Sequence, residues 1–231
     1  MEKRFGIVLS KQKTGEIGVC PLFLLAVLVV CWFPSSARAQ DITTGLIGHW
    51  KLDDGSGTDA SDSSGGGNTG TLTLGPTWTT GQLSGAVRFD GTNDSIVATD
   101  IDLTSSFTLS VWMKSDVIPG AGVFEDLVVR TSANANGGDY WLGLFEDEAE
   151  VGFFSGSVDR HLRTTSANLV AGQWYHIVGV FSDSANTFEV YVDGALSLSG
   201  AQTNSPTTNN QTVKIGAGFN GEEFDGIIDD V

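Results

Sequence analysis

The sequence predicts an all-β chain folded as an antiparallel sandwich of two sheets, and three observations lead there. From residue 41 onward, apolar side chains recur at every second position in short runs, the period of a strand with one buried face. Clusters of Gly, Asn, Asp and Ser separate the runs, and these residues turn a chain. No long stretch spaces its apolar residues as a helix does. Ten or more strands without helices close on each other as two facing sheets.

The first 39 residues stand outside that pattern. Lys3, Arg4, Lys11 and Lys13 precede an apolar run at 22–33, and Ala37-Arg38-Ala39 follows it. A basic region, an apolar core and small residues before the cut describe a signal peptide cleaved after Ala39. The run falls short of the roughly 18 residues that span a bilayer, so the exported chain, residues 40–231, is expected to carry no membrane span. Both cysteines, Cys20 and Cys31, lie in the leader. A secreted or cell-surface domain without disulfides must take its stability from its core, and a chain of this size buries enough surface for one.

Along that domain, strands are expected at 46–52, 86–90, 95–99, 107–114, 123–130, 140–145, 151–154, 161–165, 174–181, 187–192, 195–198, 212–216 and 226–231. Phe107, Leu109, Val111 and Met113 face one way, and Thr108, Ser110, Trp112 and Lys114 the other. Asp193-Gly194 separates two such runs and reads as a hairpin turn with positive φ. The glycine-rich stretch 53–70 lies between Trp50 and the apolar Leu72, Leu74 and Trp78. A domain boundary there would strand the first β segment, so it reads as a long ordered loop.

Charge narrows the partners. The chain holds 12 Lys+Arg against 28 Asp+Glu, a net charge of -16. The leader takes five of the cations and only two of the acids with it. No local cluster of Lys and Arg offsets this, so no nucleic acid is expected as a partner. The 13 Phe and 6 Trp exclude a disordered acidic tail.

Several segments in order resemble the laminin-G-like jelly-roll family of the concanavalin A-like lectin/glucanase superfamily. They are Gly45-Leu46-Ile47-Gly48-His49-Trp50-Lys51-Leu52-Asp53-Asp54, the loop 62–70, Ala86-Val87-Arg88-Phe89-Asp90-Gly91, Phe107-Thr108-Leu109-Ser110-Val111-Trp112, Gln173-Trp174-Tyr175-His176, Val190-Tyr191-Val192-Asp193-Gly194 and Phe224-Asp225-Gly226-Ile227-Ile228-Asp229-Asp230-Val231. The resemblance implies a jelly roll and a noncatalytic module that binds carbohydrate or an extracellular protein through its surface loops. A structural or adhesive surface domain is a further reading. The family's usual chain runs past the last motif to a final strand beside the first. The resemblance therefore implies a domain truncated at its C-terminus, with 46–52 partly unpaired.

Family members often hold calcium, which needs six to eight oxygens. Asp62 and Asn68 bracket three glycines, and the resemblance brings Asp90 and Asp229 near that loop, so the four are candidate calcium ligands. Asp62 and Asn68 read equally well as caps that accept backbone amides. A sugar site would combine aromatic platforms with amides and carboxylates. Tyr140, Trp141 and Phe219 with Asn136, Asp139 and Asn220 are the candidates, although aromatics inside a β run are more often core.

No catalytic residue is expected. Glu146-Asp147-Glu148-Ala149-Glu150 invites comparison with the E-x-D-x-(x)-E strand of the glucanases in this superfamily, which makes a glycoside hydrolase the alternative. On a straight strand, however, residues two apart are about 6.6 Å apart, against the roughly 5 to 5.5 Å of a retaining pair. The run also sits between two apolar strands, where an acidic hairpin turn is the ordinary explanation. His49, His161 and His176 are isolated, and no Gly-x-Ser-x-Gly turn occurs, so hydrolase triads lack support. Asn93-Asp94-Ser95 and Asn210-Gln211-Thr212 satisfy the glycosylation sequon.

Overall fold

The computed structural model describes residues 44–130, 140–207, 210–218 and 221–231. The leader assigned to 1–39 lies outside them. Among the described residues there are no helices, and no helix is long and apolar enough to cross a membrane. The strands are β1 (Asp59–Ala60), β2 (Gly70–Thr73), β3 (Thr77–Thr80), β4 (Gly85–Asp90), β5 (Ser95–Val97), β6 (Phe107–Ser115), β7 (Phe124–Arg130) and β8 (Tyr140–Phe145). They continue with β9 (Glu148–Ser155), β10 (Val158–Arg163), β11 (Tyr175–Ser182), β12 (Thr187–Val192), β13 (Ala195–Ala201), β14 (Val213–Ile215) and β15 (Asp225–Asp229).

Every pairing is antiparallel. One sheet has eight strands in the order β1-β2-β5-β14-β7-β8-β9-β10, and the other has seven in the order β13-β12-β11-β6-β15-β4-β3. The chain crosses between sheets at β2 to β3, β4 to β5, β5 to β6, β6 to β7 and β10 to β11, and again from β13 to β14 to β15, which gives a sandwich of two antiparallel layers. The alternation explains the packing. Phe107, Val111 and Met113 of β6 face inward with Ile177 and Phe181 of β11, against Leu142, Leu144, Val151 and Phe153 of the other sheet. Three of these rings cluster with Phe188 of β12, with Phe153 and Phe181 centroids 4.8 Å apart and Phe153 and Phe188 centroids 5.1 Å apart.

The first expected strand differs. Residues 46–52 form no regular strand: Trp50 makes an isolated bridge to Asp62, and Leu52 turns out of the extended region at φ 57. Trp50 and Val231 nevertheless exchange two backbone hydrogen bonds of 2.9 Å. The strands β1, β2 and β3 were not expected, because the polar run 53–70 and the short Thr-Trp-Thr-Thr stretch conceal their alternation. Inside the sandwich Arg130 is buried, and it is held by Asp100 and Asp102 at 2.6 Å. Such a charge is tolerated because it is paired.

Candidate functional site

The site follows from the register of β7 to β10. Tyr140, Leu142 and Leu144 point into the core, so Trp141, Gly143 and Phe145 point out. Cross-strand partners share a face. Phe124 pairs with Phe145 and Asp126 with Gly143. Glu150 pairs with Gly143, and Gly152 with Trp141. Arg163 pairs with Glu150, His161 with Gly152, and Asp159 with Phe154. The outer face of the eight-stranded sheet thus collects aromatic, acidic and basic side chains.

Glu150 is the hub. It is only 1% exposed and accepts hydrogen bonds from Trp141 Nε1 at 2.9 Å and Arg163 Nε at 2.7 Å. Arg163 Nη2 approaches the same carboxylate at 2.6 Å. The Arg163 guanidinium also stacks over Phe145, 3.4 Å from its ring centroid, and lies 5.1 Å from that of Phe124. Trp141, 9% exposed, lies flat over Gly152, where a Cβ would collide with the indole. It also contacts Phe154 with centroids 5.5 Å apart. Toward solvent, His161 Nδ1 bonds Asp159 Oδ1 at 2.8 Å. That bond, against partial burial and with Glu150 nearby, holds the imidazole above its ordinary pKa.

Chemically, this face offers half-exposed ring surfaces at Phe124, Phe145 and Phe154, a fixed guanidinium, an imidazole and carboxylates. It does not offer a free carboxylate pair. Glu146 and Asp147 form the two-residue turn between β8 and β9, with Glu146 at φ 56 and its carboxylate on the Gly122 amide at 3.0 Å. Glu148 accepts from the Thr164 hydroxyl and from the Ala167 amide at 2.9 Å. Both oxygens of Glu150 are engaged. The acidic run is a hairpin turn and its flank.

The other sequence candidates fall as follows. Trp141 faces outward at the site. Tyr140 does not: alternation turns it into the core, where its hydroxyl donates to Ile101 O at 3.1 Å. Asn136, Asp139, Phe219 and Asn220 lie outside the described residues. Asp62 and Asn68 come together as turn caps. Asp62 accepts the amides of His49, Ser64 and Asn68 at 3.0, 2.8 and 2.8 Å. Burial would raise its pKa, but the bonds from Ser64, Asn68 and His49 outweigh it and hold the carboxyl below the ordinary value. Asn68 Nδ2 donates to Ile47 O at 2.8 Å, and its Oδ1 accepts from Thr99.

Asp90 and Asp229 do not complete a set with that loop, contrary to expectation. Asp90 caps its own turn through the Thr92 amide at 3.0 Å, and its register partner is Asp225. Asp229 is buried and accepts the Leu83 amide at 2.7 Å. Among the described residues, no three acidic or histidine side chains form a group that could hold a metal ion. The four residues as placed do not fit one calcium site.

Asp126, on β7, and His161 and Arg163, on β10, were missed because they lie apart from Glu150 in sequence and meet it only through register. A cavity of about 810 Å³ opens elsewhere, between residues 44–50 and the Phe107 to Ser110 end of β6. Its walls are largely aliphatic and aromatic, with the His49–Asp230 pair, 2.8 Å apart, at its rim.

A laminin-G-like family model, described as the concanavalin A-like lectin/glucanases superfamily, matches residues 90–231. No curated protein is matched by the sequence. Among solved structures, the binding domain of Paraclostridial Mosquitocidal Protein 1 is similar at a TM-score of 0.66 and 17% identity, covering 81% of this chain and 48% of that one. Domain 4 of AbnA, a GH43 extracellular arabinanase from Geobacillus stearothermophilus in complex with arabinotriose, is similar at 0.62 and 20%, covering 80% and 89%. The binding domain of Botulinum Neurotoxin DC in complex with SialylT is similar at 0.65 and 10%, covering 81% and 47%. The chain spans about half the length of the toxin binding domains it matches. At these identities the likeness is one of fold.

Proposed function

The chain belongs to the concanavalin A-like lectin/glucanases superfamily, and from that premise we propose that it is a secreted, noncatalytic module that binds carbohydrate on the outer face of its eight-stranded sheet. One observation carries this reading. Trp141, Glu150 and Arg163 are locked to one another on a face that the core does not need, and half-exposed rings, His161 and Asp159 surround them. Flat rings beside fixed donors and acceptors suit a sugar, whose faces are apolar and whose rim is polar. Pre-set side chains lose little freedom when a ligand arrives. The arabinotriose in the AbnA domain and the SialylT in the neurotoxin domain make glycans the first ligands to try.

The acidic residues of this face serve the site as anchors and not as a hydrolytic pair, since Glu150 is committed to Arg163 and Trp141. The test is a glycan array followed by titration of the strongest glycan against wild type, Arg163→Ala and His161→Ala. At least a tenfold loss of affinity in either variant, with folding intact by circular dichroism, is expected. Unchanged affinity in both would place the ligand elsewhere. Binding of no glycan, with capture of one extracellular protein that Arg163→Ala loses, would move the reading to a protein partner at the same face.

A further inference from the structure

Resting on that site, we infer the class of glycan it takes: the face selects neutral sugars and turns away sugars that carry a carboxylate, because each cation at its centre is already matched by a carboxylate of its own. Acidic sugars are recognised through a cation with free donors, and the fork of an arginine suits them best. The centre of this face has one guanidinium, Arg163. Its Nε donates to Glu150 Oε2 at 2.7 Å, its Nη2 lies 2.6 Å from the same oxygen, and its flat side covers Phe145.

Drawing Arg163 toward a ligand acid would strand Glu150. That carboxylate is 1% exposed, and its other oxygen holds the Trp141 indole at 2.9 Å. A buried carboxylate without its partner is strongly destabilising, and the incoming acid would add a like charge where little water screens it. His161 offers no way round. Its Nδ1 bonds Asp159 Oδ1 at 2.8 Å, and its Nε2 lies 4.0 Å from Glu150 Oε2. Carboxylates only accept, so a charged ring is matched on both sides, and a neutral ring has no charge to give.

Lys214 is the next cation on the face. Its register partner Val129 pairs in turn with Trp141, which sets its backbone two strands from that of the tryptophan, roughly 9.5 Å away. Arg163, His161 and Lys214 thus stand against Glu148, Glu150 and Asp159, which leaves no positive surplus even with Asp126 protonated. The chain's net charge of -16 repels anions from farther out. A neutral sugar meets none of this. Its hydroxyls donate to the exposed Asp159, which a second carboxylate cannot do, and its apolar faces cover the half-exposed rings of Phe124, Phe145 and Phe154.

The experiment uses pairs of oligosaccharides that differ by one carboxyl: galacto-oligosaccharides with and without a sialic acid, and xylo-oligosaccharides with and without a glucuronic acid branch. Each is titrated into the full chain at low and at high salt. The neutral member of a pair should bind at least tenfold more tightly at low salt, and the ratio should shrink at high salt as screening weakens the repulsion. Asp159→Asn removes an exposed acid without touching the core. At about pH 5.5, below the ordinary imidazole value, it leaves His161 charged and half matched, and the acidic member should gain at least fivefold on the neutral one. Glu150→Gln, where circular dichroism shows it folded, should shift the ratio further the same way. An acidic member that binds as tightly as its neutral partner at low salt, or a ratio that neither salt nor Asp159→Asn moves, overturns the selection. Acidic binding that Arg163→Ala abolishes keeps the glycan reading and overturns only this one, whereas binding of no member of any pair removes both.

Discussion

On the outer face of the seven-stranded sheet, Trp112 stacks on His176 with centroids 4.9 Å apart, Ser110 Oγ bonds His176 Nε2 at 2.9 Å, and Lys114 sits 5.4 Å over Trp174. All are half-exposed. On the outer face of the eight-stranded sheet, Trp141, Glu150 and Asp126, the last 6% exposed, are covered. Alternation assigns both sets to the outside of the sandwich, but it does not say whether the outside is wet. In water, an aromatic pair and a cation on a ring are worth a few tenths of a kcal/mol to about 1. Under cover, a charge must be matched or give up its ionisation. The second face accordingly holds an internal salt bridge and an acid that burial pushes toward its neutral form, and the first needs neither.

Four measurements test that contrast. The largest effect is expected from Glu150→Ala, which leaves Arg163 and the Trp141 N–H without their shared acceptor. It should cost about 3 kcal/mol of unfolding free energy by denaturant titration; a cost equal to that of an exposed acid would show the covered face to be wet. Next comes acidity. Burial raises the pKa of Glu125 to about 7, with Asp225 adding to it, and burial also raises Asp126, Asp94 and Asp229. Their folded values lie above the unfolded ones, so the stability they contribute is complete below about pH 4 and is lost as pH rises through each folded value.

Asp62 runs the other way: its contribution holds above the unfolded pKa and fades as pH falls through the lower folded one. Asp62 acts only below that range, so between pH 8 and pH 5 the raised groups decide, and Glu125 with its pKa of about 7 should bring a gain of about 2 kcal/mol, read as a rise in Tm. A Tm that falls over that range would refute the assignment. Third, Asp126→Asn should stabilise by about 1 kcal/mol at pH 8, because a neutral amide replaces a buried carboxyl that would carry charge there. Destabilisation at that pH would mean that the Asp126 carboxylate is ionised and matched where it lies. Smallest is His176→Ala on the open face, about 0.5 kcal/mol; a loss as large as that of Glu150→Ala would erase the difference between the faces.

Much of the fold was legible because it rests on period two. Runs such as 187–192 and 140–145 are strands over those same residues, and the acidic run opens as a two-residue hairpin turn, Glu146-Asp147, with Glu148 to Glu150 continuing into β9. The edges were less legible. A two-residue strand such as β1 carries no period, and Leu52 leaves the extended region within an apolar run that looks like a strand. At the site, Trp141 was visible as an aromatic in a β run, and its outward direction follows from the inward Tyr140 and Leu142. Asp126, Arg163 and His161 were hidden, because they meet Glu150 only after three ladders set their registers. Asp62 and Asn68 meet in the loop, but residue type cannot tell a cation's ligand from an acceptor for three amides.

The two tryptophans give the most direct test of where a ligand sits. With the indole N–H signals assigned through Trp141→Phe and Trp112→Phe, the strongest array glycan is titrated into 15N-labelled protein. The Trp141 signal, on the covered face, should shift in step with occupancy while the Trp112 signal, on the open face, stays in place. Movement of Trp112 with a silent Trp141 would contradict the account.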